Sequence, residues 1–141
     1  MAKWYLREAG SDEFVRFLGG MSSVSISRLT VVEFRCLLGR RRRNRDIDLA
    51  TERRAAGAFD DDVAQGFLEV HPLEDRHALE ARDLLIRLAS IPLRTLDAIH
   101  LAIALAIEAD TVATADKTFA TAASALRLKV EWFGSSDRRA R

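Results

Sequence analysis

Three carboxylates stand where apolar residues are expected. Asp97 opens the almost wholly apolar helix pattern of LDAIHLAIALAIEADTVATAD (residues 96–116), and Asp116 closes the short apolar strand at its end. Glu33 lies in a second apolar helix pattern, LTVVEFRCLL (residues 29–38). A buried carboxylate is costly unless something pairs with it, and segment 96–116 holds no Lys or Arg. Three such acids suggest a shared cation. Hard divalent ions such as Mg²⁺ and Mn²⁺ take oxygen ligands and keep several waters, so a few carboxylates suffice. Such ions acidify a bound water and stabilise charge on a phosphoryl group in transfer. Rival chemistry is missing from the chain: it has no GxSxG, no P-loop and no HExxH.

Each acid also has a plainer reading. Asp is a favoured N-cap, and a helix pattern begins just after Asp116. A carboxylate in the first helical turn, as at Asp97, complements the helix dipole. Glu33 is harder to account for this way. It is mid-helix, its i−4 and i+4 neighbours are Leu29 and Leu37, and neither Arg28 nor Arg35 lies at i±3 or i±4. Thr114 either aims its hydroxyl at the cleft holding Asp116 or is simply a β-branched strand residue. His100 either orients Asp97 or is a satisfied core histidine, while His71 and His77 fit a strand end and an exposed helix face. The basic cluster of Arg40, Arg41, Arg42, Arg43 and Arg45 either grips phosphates or complements a helix C-terminus.

The elements that must position these residues follow from periodicity and punctuation. Residues 2–7 read as helical and 12–18 as a second short helix after the break at Gly10-Ser11-Asp12; Gly19-Gly20 ends it. A strand is predicted over 24–26, with Ser27 capping a helix that runs to about Arg42. Helix 46–65 and strand 67–71 follow. The stretch 73–89 is helical, with Leu79, Leu84, Leu85 and Leu88 as its apolar stripe. Ile91-Pro92 breaks it, and Thr95 caps helix 96–108. Strand 111–114, helix 117–126 and strand 129–132 complete the pattern. Strands alternating with helices predict an α/β fold with a short, mostly parallel sheet flanked by helices, and ligands collect at the carboxyl ends of such strands.

The 141 residues suit one domain, expected over 1–133, with 134–141 a polar, disordered tail. A net charge of +1 neither requires nor excludes a nucleic-acid partner. The single cysteine, Cys36, cannot form an internal disulfide, which points to a reducing compartment. No signal-peptide core is present at the start, and the longest apolar run, 101–107, is far too short to span a bilayer. A soluble, cytoplasmic protein is expected.

TVVEF after a short strand, then LDAIHLAIALAIEADTVATAD, resembles the PIN domain of VapC-type toxins of bacterial toxin–antitoxin pairs, and KWYLREAGSDEFVRFL resembles that family's opening helices. The likeness covers essentially 1–133. It implies a three-layer fold of parallel sheet and helices. It also implies Mg²⁺- or Mn²⁺-dependent cleavage of RNA by a site of four acids, a VapB-type protein antitoxin and a homodimer. Glu33, Asp97 and Asp116 match the second, third and fourth acids, with Thr114 as a helper. The family's first acid ends an opening central strand in a pattern like D-x-S-A-L-x-K. Aligning Lys3 with that lysine puts Met1 at the leucine, so strand and acid fall upstream. The expectation is a late stated start, with Met1 read from a leucine codon that doubles as a bacterial start. A strand lost from the centre of a sheet leaves neighbouring strands with unpaired backbone.

The sequence is therefore read as a metal-dependent ribonuclease toxin. The alternative is a catalytically impaired PIN-fold protein that binds antitoxin or RNA, because the first acid is absent. A further rival is an interaction domain in which the acids only cap helices.

Overall fold

A computed structural model describes residues 1–7 and 11–134. In chain order the elements are α1 (Ala2–Tyr5), α2 (Ser11–Gly19), β1 (Val24–Ser27), α3 (Arg28–Arg43), α4 (Leu49–Ala64), β2 (Leu68–His71), α5 (Asp75–Arg87), α6 (Thr95–Ala106), β3 (Thr111–Thr114), α7 (Lys117–Ala125) and β4 (Lys129–Trp132). This is the α/β alternation expected, with every strand pair parallel. The chain divides into two compact units, Met1–Pro72 and Leu73–Arg141. Gly10 of the expected break and the polar tail beyond Gly134 lie outside the described residues.

In the first unit β1 pairs with β2 in register from Val24↔Leu68 to Ser27↔His71. The chain crosses between them through α3 and α4. Ser27 ends β1 and caps α3, its hydroxyl accepting the Thr30 N–H at 3.1 Å. Phe34 and Leu38, one turn apart, are the buried face of α3, and Phe34 stacks on Phe59 of α4 with ring centroids 4.7 Å apart. Ala55 and Ala56 lie beside Phe59 in the same core, together with Leu6, Ile26 and Leu68. The short α1 has little helix of its own to stabilise it. It is held by side chains: the Trp4 indole and the Tyr5 hydroxyl both donate to Asp62 Oδ2, at 2.9 and 2.6 Å. Helix α4 starts at Leu49 rather than at 46, because Asp48 caps it by accepting the Thr51 N–H at 2.7 Å.

In the second unit β3 pairs with β4 from Thr111↔Lys129 to Thr114↔Trp132, with α7 as the crossover. Its core joins Ala81 and Leu84 of α5 to Ala98, Leu101 and Ala102 of α6. Alanines at 98 and 102 lie on one helical face and permit close helix packing. The stripe predicted for α5 is shifted. The buried positions are His77, Ala81 and Leu84, whereas Leu79 is 51% exposed. His77, expected on an exposed face, is thus a core residue. Its Nδ1 accepts the Glu74 N–H at 3.0 Å and closes the N-terminus of α5. The helix end supplies a donor for Nδ1, whereas Nε2 is buried without a hydrogen-bond partner among the described residues.

Among the described residues the strands form two two-stranded sheets, β1-β2 and β3-β4, so every strand has an edge without a ladder partner.

Candidate active site

The second unit brings two of the predicted acids together. Asp97 is the third residue of α6, and its side chain retains 17% exposure. Asp116 follows the end of β3, where the chain turns into α7, with 41% of its side chain exposed. Both meet Arg94. The guanidinium donates from Nε to Asp97 Oδ2 at 3.0 Å and from Nη2 to Asp116 Oδ2 at 3.2 Å. The pairing cation is absent from segment 96–116 but lies two residues before it. Arg94 is also the N-cap of α6 in backbone terms, with no side-chain cap, and Thr95, expected as the cap, is the first helical residue. The i,i+3 spacing of Arg94 and Asp97 is the signal from which the pair was readable.

Asp116 has a second partner that the plainer reading anticipates. Its Oδ1 accepts the Phe119 N–H at 2.9 Å and caps α7. Thr114 sets the loop between strand and helix: its hydroxyl accepts the Asp116 N–H at 3.0 Å, and its carbonyl accepts the Phe133 N–H at 2.8 Å. Thr114 therefore positions the backbone that carries Asp116. His100 sits one turn beyond Asp97 on α6, half-buried. An open cleft of about 220 Å³, lined by Ser90, Pro92, Lys117 and Thr121, borders the start of α7.

Glu33 belongs to the first unit. It is half-buried on α3, next to the buried Phe34, while Val32 on its other side is 56% exposed. The expected apolar face around it is thinner than the sequence suggested, since Leu29 and Leu37 are themselves only half-buried. Among the described residues no three His, Cys, Asp or Glu side chains are grouped closely enough to hold a metal ion.

The Arg94 bridge tests what the two aspartates can hold. Two carboxylate oxygens, from a helix start and from a strand end, are drawn to one cationic group. All the donors are hard oxygens, which suit Mg²⁺ or Mn²⁺ rather than a soft metal. The donors fit such an ion in kind, and two of them are brought together here. Arg40, Arg41, Arg42 and Arg43 form the last turn of α3, and Arg42 pairs with Glu52 at 2.6 Å.

The PIN domain family matches residues 1–125, and the chain belongs to it. Its members are in general nucleases that depend on divalent metal ions. No curated protein and no solved structure matches the chain significantly. Among the described residues no helix is long and apolar enough to cross a membrane.

Proposed function

We propose that this chain is a Mg²⁺- or Mn²⁺-dependent endoribonuclease of the toxin type, with RNA as substrate and a VapB-type protein as its antitoxin. The observation that carries the reading is the convergence of Asp97 and Asp116 on the single guanidinium of Arg94, at 3.0 and 3.2 Å. Those two acids would hold the metal. Glu33, the acid of TVVEF in the first unit, keeps its assignment as a metal-ligating acid on the strength of that motif alone. When bound, the ion supplies an acidified water and charge stabilisation at a phosphodiester.

The residues around the pair have separate tasks. Arg94 balances the two carboxylates and keeps Asp97 aimed across at Asp116. Its side chain is 75% exposed, and a substrate phosphate would compete with the carboxylates for its guanidinium. Thr114 holds the peptide N–H of Asp116 and so fixes where its side chain starts. The α7 cap ties Oδ1 of Asp116, which orients the carboxylate plane. A homodimer and a cytoplasmic location belong to the same proposal.

One observation favours a second reading, a PIN-fold protein that binds RNA or antitoxin without cleaving. Among the described residues no three ligating side chains are grouped, and both aspartates already have cationic or amide partners. Cleavage of RNA with Mg²⁺, abolished by chelator and by Asp97→Asn, separates the two: the enzyme loses activity in both cases, and the binding protein has none to lose.

A further inference from the structure

A cavity lies in the first unit, around the place where α3 ends and α4 begins. It is open, about 460 Å³ in volume, and lined by Arg7, Arg41, Arg45, Asp46, Asp48 and Thr51 among others. That volume falls within the roughly 300–1,000 Å³ usual for small-ligand sites. Three arginines and two aspartates are among the lining residues, and the Asp48 carboxylate is engaged at Oδ1 by the Thr51 N–H at 2.7 Å. The balance of the lining is cationic. Arg40 and Arg43 continue the positive charge along the exposed last turn of α3.

Arg45 gives the cavity its distinguishing feature. Helix α3 ends with the Arg45 N–H on the Arg42 carbonyl at 3.0 Å and the Asp46 N–H on the Arg41 carbonyl at 2.9 Å. This is a left-handed termination whose central position favours glycine. Here the position holds arginine, at φ 62°. A glycine would relax the backbone but remove a guanidinium from the cavity.

We infer that this cavity binds a phosphodiester of single-stranded RNA, held by Arg7, Arg41 and Arg45. Arginine is charged at every working pH, and its planar fork matches two phosphate oxygens. An arginine-lined cavity continued by further arginines along one helix end suits a ligand with a charge at every nucleotide. The identity of the ligand rests on the nuclease reading; the anion site itself rests on the cavity.

The test is metal-free binding of a fluorescent single-stranded RNA to the full chain in chelator, from about 50 to about 200 mM salt. Arg45→Gly removes one phosphate contact. The slope of log affinity against log salt then falls by about 0.7, which at about 0.15 M salt is a roughly fourfold loss of affinity. The same variant unfolds at a higher urea concentration than the parent, so weaker binding cannot come from misfolding. Arg127→Gly makes the same backbone change at φ 64° in the other unit and leaves RNA affinity and slope unchanged. If Arg45→Gly binds RNA with the parental slope, the cavity assignment is overturned while the nuclease reading stands. If the parent neither binds nor cleaves RNA, both fall. If Arg45→Gly loses affinity for polyglutamate but keeps it for RNA, the cavity serves an acidic polypeptide and the RNA assignment is overturned.

Discussion

Asp116 carries two tasks on one carboxylate, and substitution separates them. Oδ1 caps α7 through the Phe119 N–H at 2.9 Å, and Oδ2 pairs with Arg94 at 3.2 Å. Asp116→Asn keeps an oxygen for the cap, because Asn and Asp serve almost equally there. It loses the charge opposite Arg94, but that pair is solvent-screened, with side chains 75% and 41% exposed. An exposed pair is worth about 1 kcal/mol at most, so Asn costs less than about 1 kcal/mol. Asp116→Ala loses the cap as well, which adds about 1 kcal/mol. Urea unfolding followed by circular dichroism measures both. If Asp116 ligates the metal, RNA cleavage is lost equally in the two variants, although their stabilities differ. An Asn variant that still cleaves would refute the ligand role. An Ala variant as stable as the Asn variant would refute the cap.

Two further predictions concern the rest of the chain. Burial, and then the hydrogen bond and charge of Asp62, push the Tyr5 hydroxyl well above its ordinary pKa of about 10. Its contribution to stability is therefore complete below about pH 10 and is lost as pH rises from there toward the folded value. Tyr5 is the only tyrosine, so the tyrosinate absorbance reports on it alone; appearance of that signal near pH 10 in folded protein contradicts the Asp62 contact. Glu108 ends α6 in the left-handed conformation at φ 53°, its N–H on the Leu105 carbonyl and the Ala109 N–H on the Ala104 carbonyl. Glu108→Gly relieves that strain and stabilises the chain by about 1 kcal/mol, read as a higher midpoint of urea unfolding; a lower midpoint contradicts the geometry.

Much of the frame was readable because local chemistry and tertiary demand agree. Ser27 caps α3 as its position after a strand suggests, and strands 111–114 and 129–132 fall where short apolar runs are bounded by turn residues. The misreadings came from packing. Leucine density put the buried stripe of α5 through Leu79, yet the helix buries Ala81 and Leu84 with His77. Small residues on both helices of that unit allow close approach, and leucine count does not reveal this. Of the site, Asp97 and Asp116 were legible as acids in apolar surroundings. Arg94 lies outside the apolar segment that marks the two acids, and its bridge from Asp97 to Asp116 depends on the fold. Glu33 was legible only as an unusual residue type within an apolar pattern; its half-buried setting beside Phe34 depends on how α3 packs.

Asp97 and Asp116 are proposed as a metal-dependent nuclease centre. Its most direct test is cleavage of single-stranded RNA by the purified chain with Mg²⁺, repeated with chelator and with Asp97→Asn at matched folded concentration. Cleavage by the parent with Mg²⁺ is expected, and none in either of the other two samples. Cleavage by Asp97→Asn at the parental rate, or cleavage that persists in chelator, would contradict it.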